Sequence, residues 1–203
     1  MIAIIDYDAG NLKSVQKALS YIGQDSVITR DRQELLSADK VILPGVGAFG
    51  DAIANLKKYE LDKVIREIAE TKTPFLGICL GLQLLFEGSE ECPGVEGLGL
   101  LPGEILRIPE ECGLKIPHIG WNSLELAGKG RLFSGLSDIP YVYFVHSYYL
   151  KAKEADIVTA TTDYGVRIHA SVEKGNLFAC QFHPEKTGET GLAILRNFAA
   201  LRR

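Results

Sequence analysis

The sequence predicts an α/β fold: a mostly parallel central sheet with helices on both faces, and antiparallel strands added in the second half. Three observations carry that prediction. In the first half, short runs rich in isoleucine and valine alternate with stretches whose apolar residues recur at helical spacing, the rhythm of βαβ units. In the second half that rhythm stops, and short apolar runs follow one another with only turns between them. The composition, 46% apolar and 24% charged over 203 residues, is that of a globular chain long enough to bury its core without cross-links.

Ile2 to Asp6 reads as a buried strand because isoleucines dominate it. A turn through Asp8, Ala9 and Gly10 leads into a helix with Leu12, Val15, Ala18, Leu19 and Ile22 on one face, stopped by Gly23. Asp25 to Thr29 and Lys40 to Leu43 are the next strands, the latter ended by Pro44. One helical stretch is predicted from about Asp51 to Lys72, with Leu61, Val64, Ile65 and Ile68 together. Thr73 to Cys79 is a fourth strand and runs straight into an apolar helix, Leu80 to Glu87. Further strands are predicted at Ile105 to Ile108, His118 to Leu126, Tyr141 to Val145, Ile157 to Thr162, Val166 to Glu173 and Leu177 to Phe182. Leu192, Leu195, Phe198 and Leu201 predict a closing helix. With no linker, repeat or low-complexity segment, residues 1–203 are read as a single domain with a helix-poor insertion.

Charge and cysteine usage narrow the function. Lys plus Arg is 22 and Asp plus Glu is 26, a net charge of -4 with no basic run, which argues against nucleic acid as a partner. No apolar run reaches the roughly 18 residues of a membrane span. The opening MIAIIDYD begins a strand at once, with no secretory signal pattern. Cys79, Cys92, Cys112 and Cys180 form no CxxC pair and no zinc pattern, so neither a metal nor another cofactor is expected. Reduced thiols in the cytoplasm are the expectation, with one of them free to react.

That thiol is Cys79. In Gly77-Ile78-Cys79-Leu80-Gly81-Leu82-Gln83 a strand ends, a thiol follows and a helix begins, with Gly two residues to either side. This is the nucleophile-elbow pattern with Cys in place of Ser. The turn is so sharp that side chains two residues to either side would collide with neighbouring strands. The helix start aims free N–H groups at the sulfur, which favours thiolate, and the Leu80 N–H is placed to meet a developing oxyanion. Alone, the pattern also fits a small buried cysteine, the reading preferred for Cys180 inside its apolar strand.

Phe182-His183-Pro184-Glu185 follows a strand end, where open sheets collect their site residues. A carboxylate two residues from a histidine can fix its tautomer, and with Cys79 the pair makes a Cys-His-Glu triad. Pro44-Gly45-Val46-Gly47-Ala48-Phe49-Gly50 lets backbone approach a ligand and could supply a second oxyanion donor. It lacks the lysine of a phosphate loop. His118 and His169 are given structural roles. Glu90, Glu110 and Glu111 are read as solvated loop charges.

With these residues in view, GICLGLQLLFE and the later FHPE resemble the class I glutamine amidotransferases. DYDAGNLKSV, LPGVGAFGDA, CLGLQLLFEGSEE, PHIGWN, YFVHSYY and QFHPEKTG, from residue 6 to 188, are more closely similar to the glutaminase subunits of imidazole glycerol phosphate synthases, in histidine biosynthesis. Thr187 stands where Ser is common, a departure that leaves the triad untouched. The resemblance implies a flavodoxin-like fold and hydrolysis of L-glutamine to glutamate through a cysteinyl thioester. It implies that Cys79 attacks the amide, that His183 moves the proton and that Glu185 orients His183. The backbone of Leu80, with Val46 or Gly47, would form the oxyanion hole. Gln83, Glu91, His146, Ser147 and Tyr148 would bind glutamine, with the backbone of His146 mattering more than its ring. The implied partner is a (β/α)8 cyclase that takes the ammonia in a heterodimer. Asn11, Trp121, Tyr143 and Lys186 are candidates for the face against it. Trp121 and Tyr143 fit core aromatics equally well, and Lys186 fits a solvated charge.

Other readings stay open at this level. One is the glutaminase of another class I enzyme, such as pyridoxal phosphate synthase. A second is a cysteine hydrolase working alone on peptides or esters. A third is a decayed scaffold without activity. Gln83 and the FVHSYY segment argue against the second, and the presence of all three triad residues argues against the third.

Overall fold

The computed structural model of the chain describes residues 1–110, 113–128 and 130–202; Glu111 and Cys112 lie outside them. Strand Ile2–Ile5 (β1) sends Ile2 and Ile4 to one face of the sheet and Ala3 and Ile5 to the other, so both faces must be covered. Helix Leu12–Tyr21 (α1) covers the first face through Val15, Ala18 and Leu19. Ser26–Thr29 (β2) follows, and then a helix the apolar pattern did not reveal, Arg32–Ser37 (α2). Asp31 caps it, accepting a hydrogen bond from the Glu34 N–H at 2.9 Å, and Leu35 anchors it on the second face. Lys40–Leu43 (β3) leads to the glycine-rich loop.

The single helix expected over residues 51–72 is two: Phe49–Lys58 (α3) and Leu61–Ala69 (α4). The buried positions explain the break. Phe49, Ala52, Ile53 and Leu56 form one stripe, and Leu61, Val64, Ile65 and Ile68 form another. The step from Leu56 to Leu61 spoils the 3–4 spacing, and Glu60, at φ 56°, turns the chain between them. Each fully buried Leu or Ile in these stripes contributes about 1.5–3 kcal/mol.

Phe75–Ile78 (β4) ends at Cys79, and Leu80–Leu84 (α5) starts immediately. The helix-poor part then supplies Gly88–Ser89 (β5), Gly103–Arg107 (β6), His118–Ser123 (β7), Glu125–Leu126 (β8), Tyr141–His146 (β9) and Tyr148–Ala152 (β10). Val158–Asp163 (β11), Arg167–Lys174 (β12), Leu177–Cys180 (β13) and Gly188–Ala200 (α6) complete the chain. The strand expected over 118–126 is divided. Leu124 is fully buried and donates its N–H to Pro140, so β7 pairs with β9 while β8 joins β11. Strand β10, in the segment after His146, was not anticipated.

Among the described residues the main sheet has the order β2-β1-β3-β4-β13-β12-β11-β8. It is parallel from β2 to β13 and antiparallel from β13 to β8. Helices α1 and α6 pack on one face, and α2 to α5 on the other. The mostly parallel sheet with antiparallel additions is the predicted fold class. Its consequence is that β4 and β13, far apart in sequence, are hydrogen-bonded neighbours. The segments following them, Cys79 and Gln181–Glu185, therefore emerge side by side.

The elbow has no room for side chains at its glycines. A Cβ on Gly77 would lie 2.7 Å from the Gly81 carbonyl oxygen, and one on Gly81 would overlap the Leu43 carbonyl oxygen. Backbone cannot swing aside as a side chain does. Gly81→Ala is expected to cost about 3 kcal/mol, read as the denaturant midpoint of the purified chain. An unchanged midpoint would show that the turn has slack the geometry does not reveal.

Candidate active site

Cys79 sits at φ 55°, ψ -110°, outside the regions L-residues favour, which lifts its side chain off the end of the sheet. Its N–H donates to the Cys180 carbonyl at 2.8 Å, the last rung between β4 and β13. Cys79 is 7% exposed, so its sulfur is reached only through the cleft above it. Cys180 is fully buried, and burial raises the proton affinity of its thiol.

His183 is also fully buried, held by its N–H to the Tyr143 carbonyl at 3.0 Å. Its carbonyl accepts from the Thr187 hydroxyl at 2.7 Å, and that hydroxyl accepts from the Tyr143 N–H at 3.1 Å. A serine would supply the same hydroxyl. His183 Nδ1 lies 2.7 Å from Glu185 Oε1, which fixes Nδ1 as the protonated nitrogen. Nε2 is buried without a geometrically well-formed partner, and its neighbour is the Cys79 sulfur. Burial works against a charged imidazole here, but Cys79 and Glu185 outweigh it and push the His183 pKa up to about 9. Asn11, expected at an interface, also reaches this group: its amide donates to Glu185 Oε1 at 2.5 Å.

The cleft over Cys79 has a volume of about 310 Å³, within the range of small-molecule sites. Val46, Gly47, Leu80, Gln83, Glu91 and the segment 145–148 line it. Gln83 and Glu91 are largely committed to the protein. The Gln83 amide nitrogen donates to the Tyr148 backbone carbonyl and to Gln181 Oε1, each at 3.1 Å, and Glu91 accepts from the Phe49 N–H at 2.7 Å. The His146 ring is buried, its Nδ1 2.9 Å from the Tyr148 carbonyl and its Nε2 3.0 Å from His118 Nδ1. Burial lowers both pKa values, to about 3 for His146 and about 4 for His118, so both rings are neutral at pH 7. His118 thus has partners that sequence reading could not name. His169 accepts the Ala152 N–H at 3.0 Å.

In the glycine loop, the Tyr7 hydroxyl donates to the Pro44 carbonyl at 2.8 Å, and a Cβ on Gly45 would overlap that hydroxyl. Burial, then the nearby Cys79, raises the Tyr7 pKa. The Leu80 N–H points at the Gly45 carbonyl, 3.4 Å away. Val46 and Gly47 are exposed at the cleft rim, Gly47 at φ 109°.

Trp121 is 56% exposed and meets half-buried Tyr143 edge to face, with centroids 6.0 Å apart. The core alternative for Trp121 therefore fails. Ile119 and Tyr141 are exposed on the same two-stranded ribbon. Lys186 is exposed and, with Asn11 and Val46, lines a surface hollow near the cleft. Glu90 accepts from the Arg107 N–H at 2.7 Å, and Glu110 pairs with the Arg107 side chain. Gln181 and Tyr7 were missed altogether. Gln181 carried a signal, as the one amide inside the apolar run LFACQF.

A thiol on a strand-to-helix elbow, next to a buried His–Glu pair and open to a small cleft, can attack an acyl carbon and hold it as a thioester. The family model for glutamine amidotransferase class-I matches residues 3–201. The chain belongs to the class I glutamine amidotransferases. Among curated relatives of this amidotransferase, imidazole glycerol phosphate synthase subunit HisH of Moorella thermoacetica is 54% identical, covering 100% of this chain and 95% of that relative. The protein of the same name from Caldanaerobacter subterraneus is 51% identical, covering 99% and 98%. A solved glutamine amidotransferase superposes with TM-score 0.76 at 20% identity, covering 98% and 100% of the two chains. PurLQS from Thermotoga maritima gives 0.74 at 23%, covering 98% and 96%. At those identities the solved structures speak for the amidotransferase fold alone. Among the described residues, no helix is long and apolar enough to cross a membrane, and no His, Cys, Asp and Glu cluster could hold a metal ion.

Proposed function

We propose that this chain is the glutaminase subunit of an imidazole glycerol phosphate synthase, working as one domain over residues 1–203 in the cytoplasm. Cys79 is its nucleophile, and the observation that carries the reading is that sulfur at the elbow beside the buried His183–Glu185 pair. Glutamine enters the cleft with its side-chain amide over Cys79. His183 Nε2 holds the thiol proton while Sγ bonds to the amide carbon, and the carbonyl oxygen becomes an oxyanion. The proton passes from His183 to the departing nitrogen, which leaves as ammonia and leaves a glutamyl thioester. Water, giving a proton to His183, then attacks the thioester and releases glutamate and the free thiol. Glu185 holds the imidazole in one tautomer and offsets its charge at each transfer.

Leu80 and the Val46–Gly47 backbone are the oxyanion donors in this scheme. Gln83, Glu91 and the backbone from His146 to Tyr148 hold the amino-acid end of glutamine. Ammonia released into water at neutral pH is protonated and no longer a nucleophile, so it is handed on inside a complex. The partner is the (β/α)8 cyclase subunit, in a heterodimer, and neither nucleic acid nor membrane takes part. The apolar ribbon of Trp121, Tyr143, Ile119 and Tyr141, with Asn11 and Lys186 beside the cleft, suits that docking. Trp121→Ala combined with Tyr141→Ala is expected to weaken cyclase capture by about 100-fold with the melting temperature unchanged. Capture at parental strength in a titration would move the interface elsewhere.

A further inference from the structure

We propose that Gln181 is a further catalytic residue: its side-chain amide donates a hydrogen bond to the Cys79 sulfur and stabilises the thiolate that attacks glutamine. This deepens the reading of Cys79 as nucleophile and rests on it.

Gln181 directly follows β13 and is fully buried. Its amide nitrogen lies 3.7 Å from Cys79 Sγ, a hydrogen-bond distance for sulfur. Which end of a glutamine amide is nitrogen is decided by its network, and here the network leaves one solution. The Tyr148 carbonyl can only accept, so the Gln83 end facing it at 3.1 Å must be NH2. That same NH2 lies 3.1 Å from the other end of the Gln181 amide, which must therefore be the oxygen. The remaining end of Gln181, toward the sulfur, is NH2. The backbone N–H of Gln181 is tied to the Ala170 carbonyl at 2.9 Å, so the residue is held in place.

The chemistry follows from who can accept. A thiol near the Val145 carbonyl, 4.0 Å away, offers that oxygen its own hydrogen. Once the proton has moved to His183 Nε2, the sulfur is an acceptor only, and the Gln181 N–H is a second side-chain donor beside it, after the His183 Nε2–H. A hydrogen bond made to the charged form favours that form. In a site without bulk water it is worth more than in solvent, and it is strengthened by the Gln83 bond behind it. Because Gln83 also holds the Tyr148 carbonyl, the donor on the sulfur and the cleft wall are set by one chain of amides.

The test measures the rate at which iodoacetamide modifies Cys79 at pH 7, followed by peptide mass spectrometry, in the free chain and in its cyclase complex. Gln181→Met keeps the volume and removes donor and acceptor. Gln181→Glu keeps an acceptor for Gln83 and removes the amide donor. Both are expected to slow modification of Cys79 about tenfold. In Gln181→Glu the loss in glutamine turnover falls on kcat with KM little changed, a split that a purely packing role would not give. Modification within twofold of the parental rate in either folded variant overturns the proposal. Should neither fold, the side-chain NH2 signal of Gln181 in the parental chain is expected to move when Cys79 is alkylated, and an unmoved signal overturns it equally. The modification needs no glutamine, so its outcome is separate from that of the glutaminase reading, which falls if Cys79→Ala still hydrolyses glutamine.

Discussion

Cys79→Ala is expected to lower glutamine hydrolysis by about 1,000-fold or more, to background, while folding and cyclase capture stay intact. No other thiol among the described residues lines the cleft. Among the described residues the other thiols are Cys92, packed against Gly50 and not lining the cleft, and Cys180, buried in the sheet. The fold has little to lose: the change removes one sulfur from a nearly closed site, and alanine at φ 55° is no more strained than cysteine. The ribbon proposed for docking presents Trp121 and Tyr141 as exposed side chains, and the change leaves β7 and β9 untouched. The measurement is glutamate release by the variant beside the parental chain, with capture followed in parallel. Hydrolysis at the parental rate removes Cys79 from the mechanism.

The second large effect concerns the oxyanion donors. In the free chain the Leu80 N–H is directed at the Gly45 carbonyl, so the glycine loop offers an acceptor where the reaction needs a donor. An oxyanion formed here meets a carbonyl dipole of the wrong sign. Turning over the Gly45–Val46 peptide withdraws that carbonyl and presents the Val46 N–H. Nothing lies within 4 Å of a Cβ built at Gly47, so the segment beyond Val46 has space to adjust, whereas Tyr7 holds Pro44 from behind. Glutaminase activity is expected to rise about 100- to 1,000-fold when the proposed cyclase partner, loaded with its own substrate, is added, the scale of one oxyanion donor. Steady-state glutamate release by the free chain, with unloaded cyclase and with loaded cyclase gives the comparison. Equal rates in the three mixtures would sink the idea.

Much of the fold was legible because the sequence repeats simple signals. Ile2 to Ile5 and Val41 to Leu43 are apolar throughout, as strands buried on both faces must be. The break at Glu60 was also present, in the five-residue step from Leu56 to Leu61, but a long apolar window hides one missed turn. Helix α2 announced itself by a cap, Asp31 before Glu34, not by a stripe. Leu124 divides β7 from β8 by a tertiary event, burial of its side chain in the core with its N–H bonded to the Pro140 carbonyl, that no local pattern encodes. For the site, the elbow glycines and the His-Pro-Glu segment were readable because steric and protonic demands restrict residue choice there. That Asn11 bonds Glu185, or that His118 bonds His146, depends on segments brought together from distant parts of the chain. Gln181 was hidden differently: its role depends on which way an amide faces, and only three dimensions decide that.

The Leu80–Gly45 contact bears on how much of this protein a cell can make. If the resting loop keeps the chain nearly idle, surplus copies without a mate do not drain the nitrogen donor pool. Synthesis of the two subunits then need not be matched copy for copy. A point change that broke the contact would make that balance matter, and its harm would grow with expression level.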